Sequence, residues 1–213
     1  MARYSSKSWR AFRPGTSFAT PAAPPRRASV AVLPVASTAA MRNNRCRVLG
    51  LDPGSRRTGY GIIDCVGANY MHVAHGCIDV ASAEMTERLR RIHAEVVALL
   101  LRYAPDEAAI ERVFVNRNVQ SALKLGQARG AALCALPPDL TIGEYAPRAV
   151  KLAIVGFGGA AKEQVAHMVQ RLLLMNESVS ADPADALAVA ICHAHARRVA
   201  LLTGQTVRTG HRR

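Results

Sequence analysis

The stretch VLGLDPGSRRTGYGIID, residues 48–64, decides how the rest of the chain is read. Apolar residues run up to one acid, Asp52. A Pro-Gly turn follows, and then the run Gly59, Tyr60, Gly61, Ile62, Ile63. The first segment has the continuous apolar character of a strand buried on both faces. A carboxylate at the end of such a strand needs a cation or a partner. Within the stretch only Arg56 and Arg57 could neutralise it.

Working outward, residues 46–52, 59–66 and 70–80 read as three strands. A turn at Gly67, Ala68 and Asn69 joins the last two, giving an antiparallel meander. Residues 85–103 carry Met85, Leu89, Ile92, Val96, Leu99 and Tyr103 at helical spacing, and Pro105 ends the run. A short buried strand is expected at 108–113, with Glu111 near its end. A helix follows at 119–135 and a strand at 140–143. Residues 147–154 and 162–175 read as helices separated by the flexible loop Gly156, Phe157, Gly158, Gly159. A long Ala-rich helix spans 182–202. The order βββαβαβ followed by helices predicts an α/β fold, a mixed five-stranded sheet flanked by helices. No internal repeat is present.

The 213 residues suffice for one substantial domain plus tails. We place the domain at 46–202, between a basic extension at 1–40 and a basic tail at 203–213. Residues 1–40 are rich in Ala, Pro, Ser and Arg without sustained period, which predicts disorder. The formal charge is +13, but the first 51 residues hold nine of the 28 Lys/Arg and no acid. The remainder, 19 cations against 15 acids, nets only +4. The acid-free extension resembles an organellar transit peptide. We favour a start site assigned too early, because Met41 stands just before the first strand. The apolar runs are too short to span a bilayer. Five cysteines (Cys46, Cys65, Cys77, Cys134, Cys192) with no CxxC pair point to a reducing compartment. The run CHAH, residues 192–195, could suggest metal ligation, but it lies in an Ala-rich helix without a second ligand pair nearby.

Four acids stand where chemistry could use them. Asp52 ends the first strand and Glu111 the fourth. Asp182 and Asp185, three apart at the start of the last helix, share one helical face. Each has a structural explanation on its own. Asp-Pro-Gly is good turn chemistry. Asp182 before Pro183 fits an N-cap followed by Pro at the first helical position. Asp185 suits the helix dipole, and Glu111 could pair with Arg112. Adjacent first and fourth strands would bring all four together. Such a cluster suits hard divalent cations, and Mg²⁺ in particular. Two such ions serve phosphodiester cleavage.

The segments GLDPGSRRTGYGIID, AIERVFVNRNVQSALKLGQARG, VKLAIVGFGGAAKEQVAHMV and ADPADALAVAICHAH resemble the RuvC family of Holliday-junction resolvases, in order and over about residues 47–195. The resemblance implies a ribonuclease-H-like fold and a homodimer acting in DNA recombination and repair. It implies Mg²⁺-dependent, symmetric nicking of two opposing strands of a four-way junction, with Mn²⁺ as a substitute and two ions per subunit. The family's catalytic and metal-binding acids match Asp52, Glu111, Asp182 and Asp185. Phe114, Arg117, Lys151 and Lys162 match DNA-contacting positions. On spacing alone Phe114 reads as core; the resemblance makes it an exposed aromatic that stacks on junction bases. It also implies a RuvA–RuvB branch-migration partner and a bacterial cytoplasmic setting, or an organellar one if the extension is a genuine transit peptide. Pro183 departs from many relatives, which carry Ala or another helix former between the paired aspartates.

Two other readings fit part of the pattern. DPGSRRTG also meets the Asp-x-Gly-x-x-x-Thr-Gly phosphate loop of actin-like ATPases, but those proteins need two such halves and a longer chain. A non-catalytic junction-binding protein would not need all four acids.

Overall fold

The structure is a computed structural model and describes residues 45–112 and 119–204. The extension at 1–40 lies outside them, as does the tail from residue 205. Five strands form one sheet in the order β3-β2-β1-β4-β5. They are β1 (Arg45–Pro53), β2 (Arg57–Val66), β3 (Asn69–Asp79), β4 (Glu107–Glu111) and β5 (Thr141–Tyr145). Among the described residues five helices accompany them: α1 (Met85–Tyr103), α2 (Val119–Cys134), α3 (Pro147–Val155), α4 (Lys162–Leu172) and α5 (Ala181–Thr203). The mixed sheet is therefore as expected: β1–β2–β3 is an antiparallel meander, and β4 and β5 add in parallel.

β1 is the central strand, and its sequence explains why. Val48, Leu49 and Leu51 are fully buried, so both faces of the strand are covered. Alternation sends its side chains to two cores. Leu49 and Leu51 join Ile92 and Val96 of α1 and Ala128 and Ala132 of α2. Val48 joins Val150 and Ile154 of α3, Val165 and Val169 of α4, and the buried stripe of α5. Each buried Val, Leu or Ile contributes about 1.5–3 kcal/mol.

α1 forms where the spacing placed it, burying Ile92, Val96 and Leu99 one or two turns apart. Ala104 ends it with φ 43°, donating its N–H to Leu100 O, and Pro105 blocks continuation. α4 is shorter than expected, stopping at Leu172 instead of 175. Leu174 turns left-handed at φ 51° and is 87 % exposed, so the apolar period continues in sequence but not in space. β4 closes at Glu111, earlier than the expected 113, and β5 runs to Tyr145 instead of stopping at 143. The N-cap of α5 is Ser180, not Asp182. Pro183 is thus the third helical residue. Its missing N–H still falls among the four that lack intrahelical acceptors, so the helix tolerates it.

Among the described residues no helix is long and apolar enough to cross a membrane.

Candidate active site

Asp52 and Glu111 are placed side by side by strand register. β1 and β4 run parallel with Leu51 beside Ile110, and the next residue of each strand is an acid. Gly50 and Ala109 are also partners, two residues earlier. Strand alternation therefore puts Asp52 and Glu111 on the sheet face that carries α5.

α5 reaches that face because three glycines let it. A Cβ on Gly50 would lie 2.1 Å from Ala186 O, and one on Gly59 would lie 2.1 Å from Asp182 O. One on Gly61 would lie 2.7 Å from the Leu187 side chain. Gly50 faces Gly61 across the β1–β2 ladder, and Asp52 faces Gly59. The helix lies nearly on the backbone of β1 and β2, with its first turn beside Asp52. Small residues on the helix complete the close approach: Ala184, Ala186, Ala188 and Ala190 are all 0–1 % exposed. Asp182 and Asp185 sit in its first turn and a half.

The charges register the proximity. Burial pushes the Asp52 carboxyl up to about 6, and Asp185 and Asp182 push the same way against Lys162. Burial likewise pushes Glu111 up to about 7, helped by Asp52 and Asp185 and opposed by Lys162 and Lys151. All four acids thus belong to one electrostatic cluster. Among the described residues, however, no three His, Cys, Asp or Glu side chains are drawn into a ready-made metal cage.

Cations hold the two helix acids. Lys162 Nζ, at the start of α4, donates to Asp185 Oδ2 at 2.9 Å. Arg57 Nη1 lies 3.5 Å from Asp182 Oδ2, and the Cys77 thiol makes a long 3.9 Å contact with the same oxygen. Arg57 therefore serves Asp182 and not its sequence neighbour Asp52. The Glu111 carboxylate has no ion pair among the described residues; Arg112 turns to Glu144, 3.9 Å away, where Arg129 also binds at 2.6 Å. Lys151 is close enough to act on Glu111, but its Nζ donates to Ala160 O at 2.7 Å and ties down the loop before α4. Phe114 and Arg117 fall in residues 113–118, outside the described residues.

Cys192 and His193 of the CHAH run are buried in the core. His193 is fully buried and hydrogen-bonded at both ring nitrogens, to Glu107 Oε2 at 2.6 Å and to the Tyr145 hydroxyl at 2.8 Å. Arg197 donates to the other Glu107 oxygen at 2.8 Å. The network pins α5 to β4 and β5. Cys192 is buried with its thiol pushed up to about 12 by desolvation, and all five cysteines are free.

The family model described as crossover junction endodeoxyribonuclease RuvC matches residues 48–193. The chain belongs to the RuvC family. Crossover junction endodeoxyribonuclease RuvC of Aromatoleum aromaticum is 54 % identical over 150 residues, covering 70 % of this chain and 81 % of the relative. That of Shewanella putrefaciens is 48 % identical over 165 residues, covering 76 % and 95 %. Among solved structures, Thermus thermophilus RuvC in complex with a Holliday junction substrate superposes with TM-score 0.66 at 36 % identity, over 72 % of this chain and 96 % of that one. The matched span opens with β1 and closes within α5, so the RuvC match contains all four acids and the glycines that seat the helix.

Site residues that sequence reasoning missed are Gly50, Gly59, Gly61 and the cation pairings of Lys162 and Arg57. The glycines did leave a signal. Gly59 and Gly61 alternate within a strand, and alternate glycines mark one face approached by another backbone.

Proposed function

We propose that this chain is a crossover junction endodeoxyribonuclease that nicks two opposing strands of a DNA four-way junction. Asp52, Glu111, Asp182 and Asp185 form its catalytic centre. The observation that carries the reading is the side-by-side placement of Asp52 and Glu111 under the first turn of α5. RuvC membership supports the substrate class.

The donor set fits a hard divalent cation. All four candidate ligands are carboxylates, and hard cations such as Mg²⁺ take oxygen. Asp52 and Glu111 are pushed up by burial and by their neighbours' charge, which is the field a cation would relieve. Mg²⁺, two ions per subunit with Mn²⁺ as substitute, would supply an activated water and stabilise the leaving oxygen when bound.

The protein's own groups do the rest. Asp52 and Glu111 anchor from the rigid sheet, while Asp182 and Asp185 close the site from α5. A site built on strand ends and a helix start is held more precisely than one on loops. Lys162 stands over Asp185, where it can exchange the carboxylate for a DNA phosphate as the strand arrives. Lys151 holds the loop that carries Lys162's helix. These cations position the backbone and read no sequence. Displacement is in line at phosphorus and leaves a 5′-phosphate. Phe114 stacks on a junction base and Arg117 contacts DNA near it. A C2 homodimer matches the two-fold symmetry of an open junction, one acid cluster for each of two opposing strands. RuvA–RuvB is the partner motor, and the setting is the bacterial cytoplasm.

The test is a synthetic four-way junction with Mg²⁺. Paired symmetric nicks with 5′-phosphate ends are expected. Binding without any nicking would favour a non-catalytic junction binder.

A further inference from the structure

The loop between α3 and α4 carries a feature that the acid site does not use. Phe157 is 65 % exposed, and so is much of Leu152, at 56 %. With Arg148, Gly156, Gly158 and Gly159 they line a shallow cleft of about 520 Å³. No acid lines it. An exposed Phe on a floppy loop would mean little, but this one is held. Gly156 ends α3 at φ 78° and donates its N–H to Leu152 O. Ala160 is 1 % exposed, donates to Phe157 O at 3.2 Å, and accepts from Lys151 Nζ at 2.7 Å. The loop is thus tied at both ends.

The glycines between those ties set the ring. A Cβ on Gly159 would lie 2.7 Å from the Phe157 ring, and one on Gly158 would lie 2.7 Å from the Arg148 side chain. Both side chains lie down on the loop backbone because those residues have no side chain. The result is an aromatic ring lying on a tethered loop backbone, beside Arg148, at the edge of solvent.

We propose that this cleft receives an unpaired nucleobase of the bound DNA, with Phe157 as the stacking platform and Arg148 holding the adjoining phosphate. The proposal rests on the junction-nuclease reading above. Three facts favour a nucleotide as occupant. The cleft pairs one flat apolar face with one cation and has no competing carboxylate. Lys151 and Lys162 flank the same loop, so the approach is basic on both sides. Phe157 is five residues before Lys162, so their Cα atoms are at most about 17 Å apart. A strand passing Lys162 on its way to the acids therefore passes within a few nucleotides of the ring. Stacking on aromatic side chains is how proteins hold unpaired bases irrespective of sequence.

The test uses the full chain with Phe157→Ala, Phe157→Leu and Phe157→Trp. The probe is a synthetic four-way junction with 2-aminopurine beside the branch point. Binding is measured in EDTA and nicking in Mg²⁺. Because Phe157 is mostly exposed, all three variants should melt with wild type. Phe157→Ala and Phe157→Leu should weaken junction binding about 5- to 150-fold and alter the 2-aminopurine signal. Phe157→Trp should keep both, and linear duplex should bind all four proteins alike. Leu is the decisive arm, because it keeps apolar bulk and removes the aromatic face. Wild-type binding and fluorescence in Phe157→Ala, or in Phe157→Leu, would overturn the proposal while leaving the nuclease reading intact. A wild type that neither binds nor nicks the junction would overturn both.

Discussion

Gly59 lies so close to Asp182 that a Cβ on the glycine would fall 2.1 Å from the aspartate's carbonyl oxygen. The contact is backbone against backbone and cannot be relieved by a rotamer change. It sets how near α5 comes to the end of β1, and so how near Asp182 and Asp185 come to Asp52.

Gly59→Ala should therefore damage fold and function together. Overpacking of this kind costs about 1–3 kcal/mol, visible as a lower midpoint in urea. Nicking should fall by more than the loss of folded protein explains, because the surviving helix is displaced from Asp52. Wild-type stability and rate would mean that the helix is not seated by the glycine.

Asp52 gives a pH signature. Its carboxyl is pushed from an ordinary 3.8 up to about 6 in the folded state. Between those values the folded protein keeps a proton that the unfolded chain has released. Stability of the metal-free protein therefore falls as pH rises through this window. The penalty is absent below about pH 4 and full above about pH 7, on the order of 2–3 kcal/mol. Asp52→Asn removes it. In EDTA the variant's stability advantage over wild type should grow from pH 4.5 to pH 7.5, by urea unfolding at each pH. Added Mg²⁺ should raise the melting temperature of wild type more than that of the variant. An advantage independent of pH would mean that Asp52 is not crowded by charge.

His193 is a structural pin. Removing its buried ring in His193→Ala opens a cavity, leaves the Tyr145 hydroxyl without its partner and leaves Glu107 with Arg197 alone. We expect a loss of about 2–4 kcal/mol, read by denaturant unfolding. Zn²⁺ should change the melting temperature of wild type and variant alike. A Zn²⁺ stabilisation lost with His193 would restore the metal reading of CHAH.

Residues 1–40 should be dispensable for cutting. The family match begins at 48 and β1 at Arg45. A chain starting at Met41 should nick a junction as fast as the full chain at moderate salt. Loss of most activity there would make the extension part of the enzyme.

Much of this was legible in the sequence, and the exceptions share a cause. α1 was readable because Ile92, Val96 and Leu99 repeat along one helix, a purely local signal. That β1 and β4 could be neighbours was open to the sequence reading; their parallel register, which sets Asp52 beside Glu111, is a finding of the structure. The end of α4 was not readable, because the apolar residues continue to Met175 while the backbone turns at Leu174. The partner of Lys162 is 23 residues away, and Glu107 and His193 are 86 apart. No periodicity reports such pairs. Gly50, Gly59 and Gly61 were visible but read as strand residues, since the backbone they admit belongs to a helix more than 120 residues later. The four acids stand out by their positions at element ends; of what seats them, only the alternation of Gly59 and Gly61 left a local trace.

The central claim is that Asp52 belongs to a catalytic acid cluster, and one paired measurement tests it most directly. Wild type and Asp52→Asn are each given a synthetic four-way junction, first in EDTA for binding by gel shift, then in Mg²⁺ for cleavage. Wild type should leave paired, symmetric nicks. Asp52→Asn should bind the junction within a few-fold of wild type and nick it about 100-fold more slowly or worse. Nicking by Asp52→Asn at the wild-type rate would contradict the assignment of the site.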